Sequence, residues 1–99
     1  MSLPKFVKDV LSAYKKTGLK PIRHSFYEKN SACPIGVLAK VNNKNSRETV
    51  YKWAIKKFGE DFVNNFTNCF DGCSLHSFSL NAILARRYAK ILSKKLFNE

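Results

Sequence analysis

The chain has 99 residues, 44% of them hydrophobic, and its 18 lysines and arginines outnumber 7 acidic residues to leave a formal net charge of +11. This length and apolar content favour a single globular domain over residues 1–99 and argue against a disordered chain. No apolar run approaches the roughly 18 residues that cross a bilayer, and Met1 is not followed by an apolar leader, so neither a transmembrane segment nor a secretory signal is expected.

The excess of positive charge favours polyanionic partners such as nucleic acid, anionic lipid or an acidic protein. The alternative is compositional, because most of the cations are lysines and asparagine is also abundant, as the codons of an AT-rich genome produce. Net charge governs association and solubility, so it does not select a function by itself. The 3 cysteines cannot all pair within one chain, and a reducing cytoplasm is the expected location.

Apolar residues at helical spacing predict a first helix from about Leu3 to Thr17. Gly18, followed by Pro21, is typical of a helix end. The next stretch, Leu19–Ser31, has no helical period. It is predicted to be either a short extended segment or a long ordered loop held by its own aromatic side chains.

A short second helix is predicted to begin at Cys33 or a neighbour and to end near Val41, with Pro34 in its first turn. Gly36 lowers the helix propensity of this segment, which indicates the close approach of another backbone.

Asn45 and Glu48 resemble a capping box and predict a third helix that ends near Gly59. The inward arc of this helix is predicted to contain Val50, Tyr51, Ala54, Ile55 and Phe58. A fourth helix is predicted over residues 60–70, with acidic residues at its positive end.

The last stretch, Ser79 to Phe97, is predicted to be the helix around which the others pack. Its large apolar residues recur at spacings of three and four: Leu80, Ile83, Leu84, Tyr88, Ile91, Leu92 and Leu96. Ser79 is a good N-cap. Arg87 falls on the same stripe, and its guanidinium is expected to reach water from the edge; a buried guanidinium would need Asp71 or Asp61 as a partner.

The fold prediction is an all-α, compact single-domain bundle of four to five helices. One long ordered loop, at about residues 19–32, follows the first helix. No internal repeat or domain boundary is visible in the sequence.

Cysteine and histidine residues form one candidate metal site. Cys69, Cys73 and His76 are separated by three and two residues, and Cys33 or His24 could supply a fourth ligand. Thiolates and imidazoles are the ligands of tetrahedral zinc, but this spacing is not that of a common zinc motif. The structural alternative, with Cys69 as a small residue on an apolar helix face, is preferred, and no cofactor is predicted.

Cys33 has a second candidate role as a nucleophile. A thiol at a helix N-terminus has a lowered pKa, and His24 or His76 could act as its base with Asp71 as the orienting group. No nucleophile motif supports this arrangement, and Gly36 excludes a thioredoxin-like C-x-x-C. A half-buried structural thiol is preferred, and no catalytic residue is assigned.

Two basic clusters are candidate binding surfaces. The first follows one face of the last helix and consists of Arg86, Lys90 and Lys94. The second surrounds Trp53, which points away from the apolar arc of the third helix, and consists of Lys52, Lys56 and Lys57. Together they could contact phosphates beside a stacking aromatic; the alternative is that they are ordinary solvated helix faces.

These features favour a small binding module over an enzyme, with another protein as its partner. The partner surface is predicted to join Trp53 and its lysines to the Leu19–Ser31 segment, including Phe26 and Tyr27, because an outward tryptophan is costly unless covered. Nucleic-acid binding through the lysine-rich faces is the alternative, although no helix-turn-helix, zinc-finger or RNP motif is present. The thiol or zinc site is a second alternative, and the oligomeric state is left open.

Overall fold

The computed structural model describes residues 3–44, 46–72 and 79–97, and it describes only the backbone of Arg47. Within these ranges the chain forms five helices: α1 (Lys5–Thr17), α2 (Pro34–Val41), α3 (Arg47–Phe58), α4 (Glu60–Phe70) and α5 (Leu80–Phe97). The prediction of a compact, mostly helical fold is therefore confirmed. None of the helices in the described ranges is both long and apolar enough to cross a membrane.

Helix α1 ends where the sequence predicts, at Gly18. This residue adopts a φ of 72°, a conformation that glycine reaches without strain, and its N–H donates to the carbonyl of Tyr14. The Tyr14 hydroxyl is buried and donates to the carbonyl of Ala32 at 2.7 Å. This bond joins α1 to the segment that leads into α2.

The predicted loop contains a small sheet that the fold prediction did not include. Its three strands are two residues long: β1 (Lys20–Pro21), β2 (Tyr27–Glu28) and β3 (Ser31–Ala32). β3 lies in the middle, parallel to β1 and antiparallel to β2. Strands this short have no readable period in the sequence, because alternation needs at least four residues.

Helix α2 is the enclosed element of the fold. All six residues of Pro34–Ala39 are buried, and the helix carries no charge before Lys40. A helix that is apolar on every side must be surrounded by other elements, and α1, α3 and β3 pack on this one. The prediction that the C-terminal helix is the hub is therefore wrong.

The N-terminal turn of α2 lies directly against the loop backbone. A Cβ built on Gly36 would lie 2.2 Å from the carbonyl oxygen of Phe26, and the N–H of Cys33 donates to that same oxygen at 3.2 Å. The close backbone approach predicted at Gly36 is confirmed.

Helices α3 and α4 form with small differences from the prediction. The side chain that caps α3 is Ser46, which accepts from the N–H of Thr49, whereas Asn45 lies outside the described residues. Val50 and Ala54 are buried as expected, but Tyr51 is exposed. The bounds of α4 match the predicted ones, because Gly59 and Asp71–Gly72 are clear stop signals.

Phe6 of α1 connects three other helices through its ring. Its centroid lies 5.2 Å from those of Phe62 and Phe66, 5.3 Å from that of Phe58 and 5.7 Å from that of Tyr88. Edge-to-face aromatic pairs add about 0.5–1.5 kcal/mol each beyond their buried area. This cluster joins α1, α3, α4 and α5 on the side of α1 where Phe6 lies.

Replacing Gly36 with alanine should destabilise the fold although alanine is the better helix former. The added methyl group has no room against the Phe26 carbonyl. We expect a loss near the upper end of the range of about 1–3 kcal/mol that overpacking causes, measured as the free energy of unfolding in urea. The control is Ser12→Ala on the exposed face of α1, which should change stability by less than about 0.5 kcal/mol. Equal stability of G36A and wild type would contradict the contact.

Candidate functional site

Helix α5 buries small residues and exposes large ones along its N-terminal half. Ala82, Ala85, Ala89 and Leu92 form its fully buried face against α4. Leu80, Ile83 and Leu84 remain 81%, 43% and 38% exposed. The predicted helix and its Ser79 cap are confirmed, since Ser79 Oγ accepts from the N–H of Ala82 at 3.1 Å. The predicted burial of the stripe is wrong for its first two turns.

The exposed apolar residues of α5 are contiguous on the helix surface. Leu80, Ile83 and Leu84 are related by i, i+3 and i+4, so their side chains lie side by side. Arg87 follows at i+7 and is exposed, as expected for an arginine at the stripe's edge. We call these four residues the α5 ridge. Single exposed leucines are common, whereas these apolar side chains are contiguous, which makes the ridge a candidate binding surface.

The predicted basic row on α5 is divided between two environments. Lys90 and Lys94 are exposed and border one cleft together with Arg23. Arg86 is half-buried and donates from Nη1 to Oδ1 of Asn65 at 3.0 Å. Arg86 therefore holds α5 against α4 and is not available as a third member of a phosphate-contacting row.

Asn65, for which the sequence predicts no structural role, is the centre of this polar contact. It is 2% exposed, and its Nδ2 donates to the backbone carbonyl and to Oδ1 of Asp61 at 2.8 and 3.1 Å. The hydroxyl of Ser79 donates to the other carboxylate oxygen of Asp61. The signal that could have identified Asn65 is its place among the apolar residues of α4.

Arg23 is the second residue that the sequence reading missed. Its Nε donates to the carbonyl of Phe70 at 2.8 Å, and its guanidinium carbon lies 4.0 Å from the centroid of the Phe97 ring. A cation over an aromatic face is stabilised by the ring quadrupole. Arg23 thus fastens the loop after α1 to the ends of α4 and α5.

Trp53 is half-buried and is partly covered by its own chain. It packs edge-on against Phe58, with ring centroids 5.8 Å apart, and the Lys57 ammonium lies 5.4 Å from its centroid. Lys52 pairs with Glu48 at 2.9 Å, and Lys56 is exposed. Two of the three lysines are therefore engaged within α3.

Phe26 and Tyr27 do not share a pocket with Trp53 in the described part of the chain. Phe26 lines a cleft with Cys33, Tyr27 borders a shallow one with Lys40, and Trp53 lines a groove beside α1. The Tyr27 hydroxyl donates to the carbonyl of Lys44. The residues predicted to form one joint surface thus line three different clefts.

Cys33 is the N-cap of α2, and its environment works against a nucleophilic role. Burial raises the pKa of its thiol from 9.0 to about 12, although hydrogen bonds from the backbone N–H groups of Gly36 and Ile35 lower it in part. The positive end of a helix usually favours a thiolate, but desolvation outweighs that effect here. At neutral pH the thiol is protonated.

His24 and Asp71 border the same cleft as Cys33, but they are not arranged as a catalytic base and its orienting carboxylate. His24 has a φ of 71°, and its backbone N–H, rather than its imidazole, donates to Oδ1 of Asp71 at 2.9 Å. Asp71 also raises the pKa of the Cys33 thiol. The arrangement therefore lacks the imidazole–carboxylate contact that orients a catalytic base.

The candidate zinc site is only partly within the described residues. Cys73 and His76 lie outside them. Among the residues that are described, no group of three or more potential ligands could hold a metal ion. Cys69 is a free, half-buried thiol whose Sγ lies 3.8 Å from the carbonyl oxygen of Arg86, which fits the structural role on α4.

Comparisons with known proteins add no assignment. A scan of protein-family models found no match to this chain, and searches of curated proteins and of solved structures found none either. The geometry of the described residues is therefore the basis on which a function is proposed.

Alkaline pH should destabilise the protein through Cys33. A pKa that folding raises contributes stability below the unfolded value of 9.0, and this stability is lost as the pH rises toward about 12. Cys33→Ser keeps a capping oxygen but does not titrate in this range. From pH 9 to 10.5, wild type should lose about 1.6 kcal/mol more in total than C33S, measured by urea unfolding. Parallel pH profiles would contradict a buried, protonated Cys33.

Proposed function

We propose that this protein is a non-enzymatic binding module that docks an acidic amphipathic helix of another protein on the α5 ridge. The observation that carries the proposal is the exposure of Leu80, Ile83 and Leu84 on successive turns of a well-anchored helix. Two helices that pack side by side contact each other through apolar residues at this i, i+3, i+4 spacing. The free thiols of Cys33 and Cys69 fit the reducing, cytoplasmic setting that we include in the proposal.

The charge of α5 selects the partner's chemistry. Residues 80–97 contain five cations and no aspartate or glutamate. Arg87, Lys90, Lys94 and Lys95 are exposed along the helix beside and beyond the apolar residues. A partner helix with carboxylates flanking its own apolar face would be attracted to this surface, which raises the association rate and fixes the orientation.

The same charge argues against a second copy of the chain as the occupant. A symmetric dimer through α5 would bring two of these cationic helices together, and each copy carries a net charge of +11. Like charges placed opposite each other across an interface cost several kcal/mol.

The groove beside Trp53 and the Leu19–Ser31 segment are weaker candidates for the docking surface than α5. Trp53 already has partners in Phe58 and Lys57, so its exposed area does not require a covering protein. In contrast, the large side chains at the start of α5 have more than a third of their surface in water.

Nucleic-acid binding is the second candidate, favoured by the cleft that Lys90, Lys94 and Arg23 border together. Two exposed lysines on one helix face can contact adjacent phosphates. This candidate does not use the apolar residues of the ridge, and its affinity would fall steeply with salt.

Photo-cross-linking in the cell that makes the protein tests the proposal. A benzophenone side chain is placed at Ile83, or at Ser12 on α1 as the comparison site beside the Trp53 groove. We expect cross-links from position 83 to an acidic helical segment of another protein, unchanged by nuclease. Cross-links that form only from position 12, or only to a second copy, would contradict the proposal. Loss on nuclease treatment would favour the nucleic-acid candidate.

Two substitutions that each add one negative charge then measure the contribution of the ridge to partner binding. Leu84→Glu should weaken binding of the cross-linked partner by about tenfold or more, as loss of an apolar anchor does, whereas Ser12→Glu should leave it unchanged. Both positions are exposed on helices, so the thermal midpoints of the two variants should remain close to that of wild type. Equal binding by L84E and S12E would exclude the ridge.

A further inference from the structure

A cleft on another face of the molecule has the dimensions of a small-ligand site. It lies between residues 24–26, the first turn of α3 and the end of α4, with a volume of about 620 Å³. Small-molecule sites usually occupy about 300–1,000 Å³ and combine an apolar floor with a few polar groups. Phe66 and Phe70 form the buried floor, and His24, Glu48 and Tyr51 lie at the exposed rim.

The carboxylates among the described residues that line this cleft contrast with the basic character of the protein as a whole. Glu48 and Asp71 line it, and none of the described residues that line it is a lysine or arginine. The chain as a whole has 18 such cations against 7 acidic residues. An anionic ligand would therefore meet two carboxylates here, whereas the rest of the surface would attract it.

The helix ends around the cleft reinforce this preference. Asp71 is the C-cap of α4, so the cleft is bordered by the negative end of that helix dipole. The positive end of α2 also reaches the cleft through Cys33, but its groups are already engaged. The N–H of Gly36 donates to Cys33 Sγ at 3.4 Å, and the carbonyl of Phe26 covers the turn.

Aromatic side chains supply the remaining part of a cation site. Phe26, from the loop, and Tyr51, from α3, line the cleft together with the Phe66–Phe70 floor. Aromatic faces attract organic cations, most strongly where carboxylates are also present and water is partly excluded. We infer that this cleft binds an organic ammonium ion, primary or quaternary, whose apolar body lies on the phenylalanine floor.

The ion pair at the rim does not block such a ligand. Lys52 Nζ lies 2.9 Å from Glu48 Oε1, but the two side chains are 75% and 78% exposed. Pairs of this kind contribute little and exchange readily with water or another cation. A bound ammonium ion can therefore replace Lys52 as the partner of Glu48.

The test is a titration of the full chain with three probes of nearly one shape, followed by nitrogen–proton NMR. Choline is the cation, 3,3-dimethylbutan-1-ol is its neutral carbon isostere, and 3,3-dimethylbutanoate is an anion of similar bulk. We expect choline to shift the amide signals of Ser25, Thr67 and Asp71 with a millimolar dissociation constant. The neutral isostere should bind at least about tenfold more weakly, and the anion should not bind.

Two variants that each remove one negative charge distinguish choline binding in the cleft from binding elsewhere on the surface. Asp71→Asn keeps an oxygen to accept from the N–H of His24 but removes the charge, and it should weaken choline binding by about tenfold. Asp9→Asn removes the same charge from the exposed pair with Lys5 on α1 and should leave binding unchanged.

Three results would overturn the inference. These are no binding of choline up to 50-fold above the expected millimolar range, equal or tighter binding of the neutral isostere, and equal effects of D71N and D9N. The α5 ridge takes no part in this experiment, so its outcome is independent of the proposed docking function.

Discussion

The close contact between the Phe26 carbonyl and the N-terminal turn of α2 is the constraint on which the rest of the structure depends. Only glycine at position 36 leaves room for that oxygen, and the N–H of Cys33 binds it. The contact draws the loop over a helix that is apolar on every side. With α2 enclosed in this way, α1 and α3 have a common surface on which to pack. The same enclosure buries the thiol of Cys33 and keeps it protonated. Cys33 therefore lacks the nucleophilic reactivity that its position at the N-terminus of α2 would favour.

A different principle governs α5. Its inward face consists of alanines and Leu92, which allow close contact with α4, and the contact is completed by the bond from Arg86 to Asn65. Because small residues satisfy the core, the larger ones at Leu80, Ile83 and Leu84 are left outside. The fold therefore does not need these side chains for its own stability. A rigid helix that presents apolar residues at its start and cations at its end is well suited to hold an acidic helix in one orientation.

Helical periodicity was sufficient to locate the helices, and stop signals such as Gly18 and Gly59 placed their ends. The same periodicity predicted the wrong buried face for the start of α5. Alanine is neutral in such patterns, so the large residues determined which face was expected to be buried. The small sheet was not predicted, because two-residue strands pair through their backbones alone. The cleft with Asp71 and Glu48 could not be predicted, since it is assembled from segments distant in sequence. Gly36 was the exception, because a glycine within a helix already indicates a close neighbour.

Native-state hydrogen exchange tests the central position of α2 most directly. If α2 is enclosed by the loop, α1 and α3, the amide protons of Val37, Leu38 and Ala39 should exchange only through global unfolding, with the slowest rates in the protein. Amides in the first two turns of α5, around Ile83, should exchange faster because one side of that helix is open to water. Faster exchange in α2 than in α5 would contradict this account and return the organising role to the C-terminal helix.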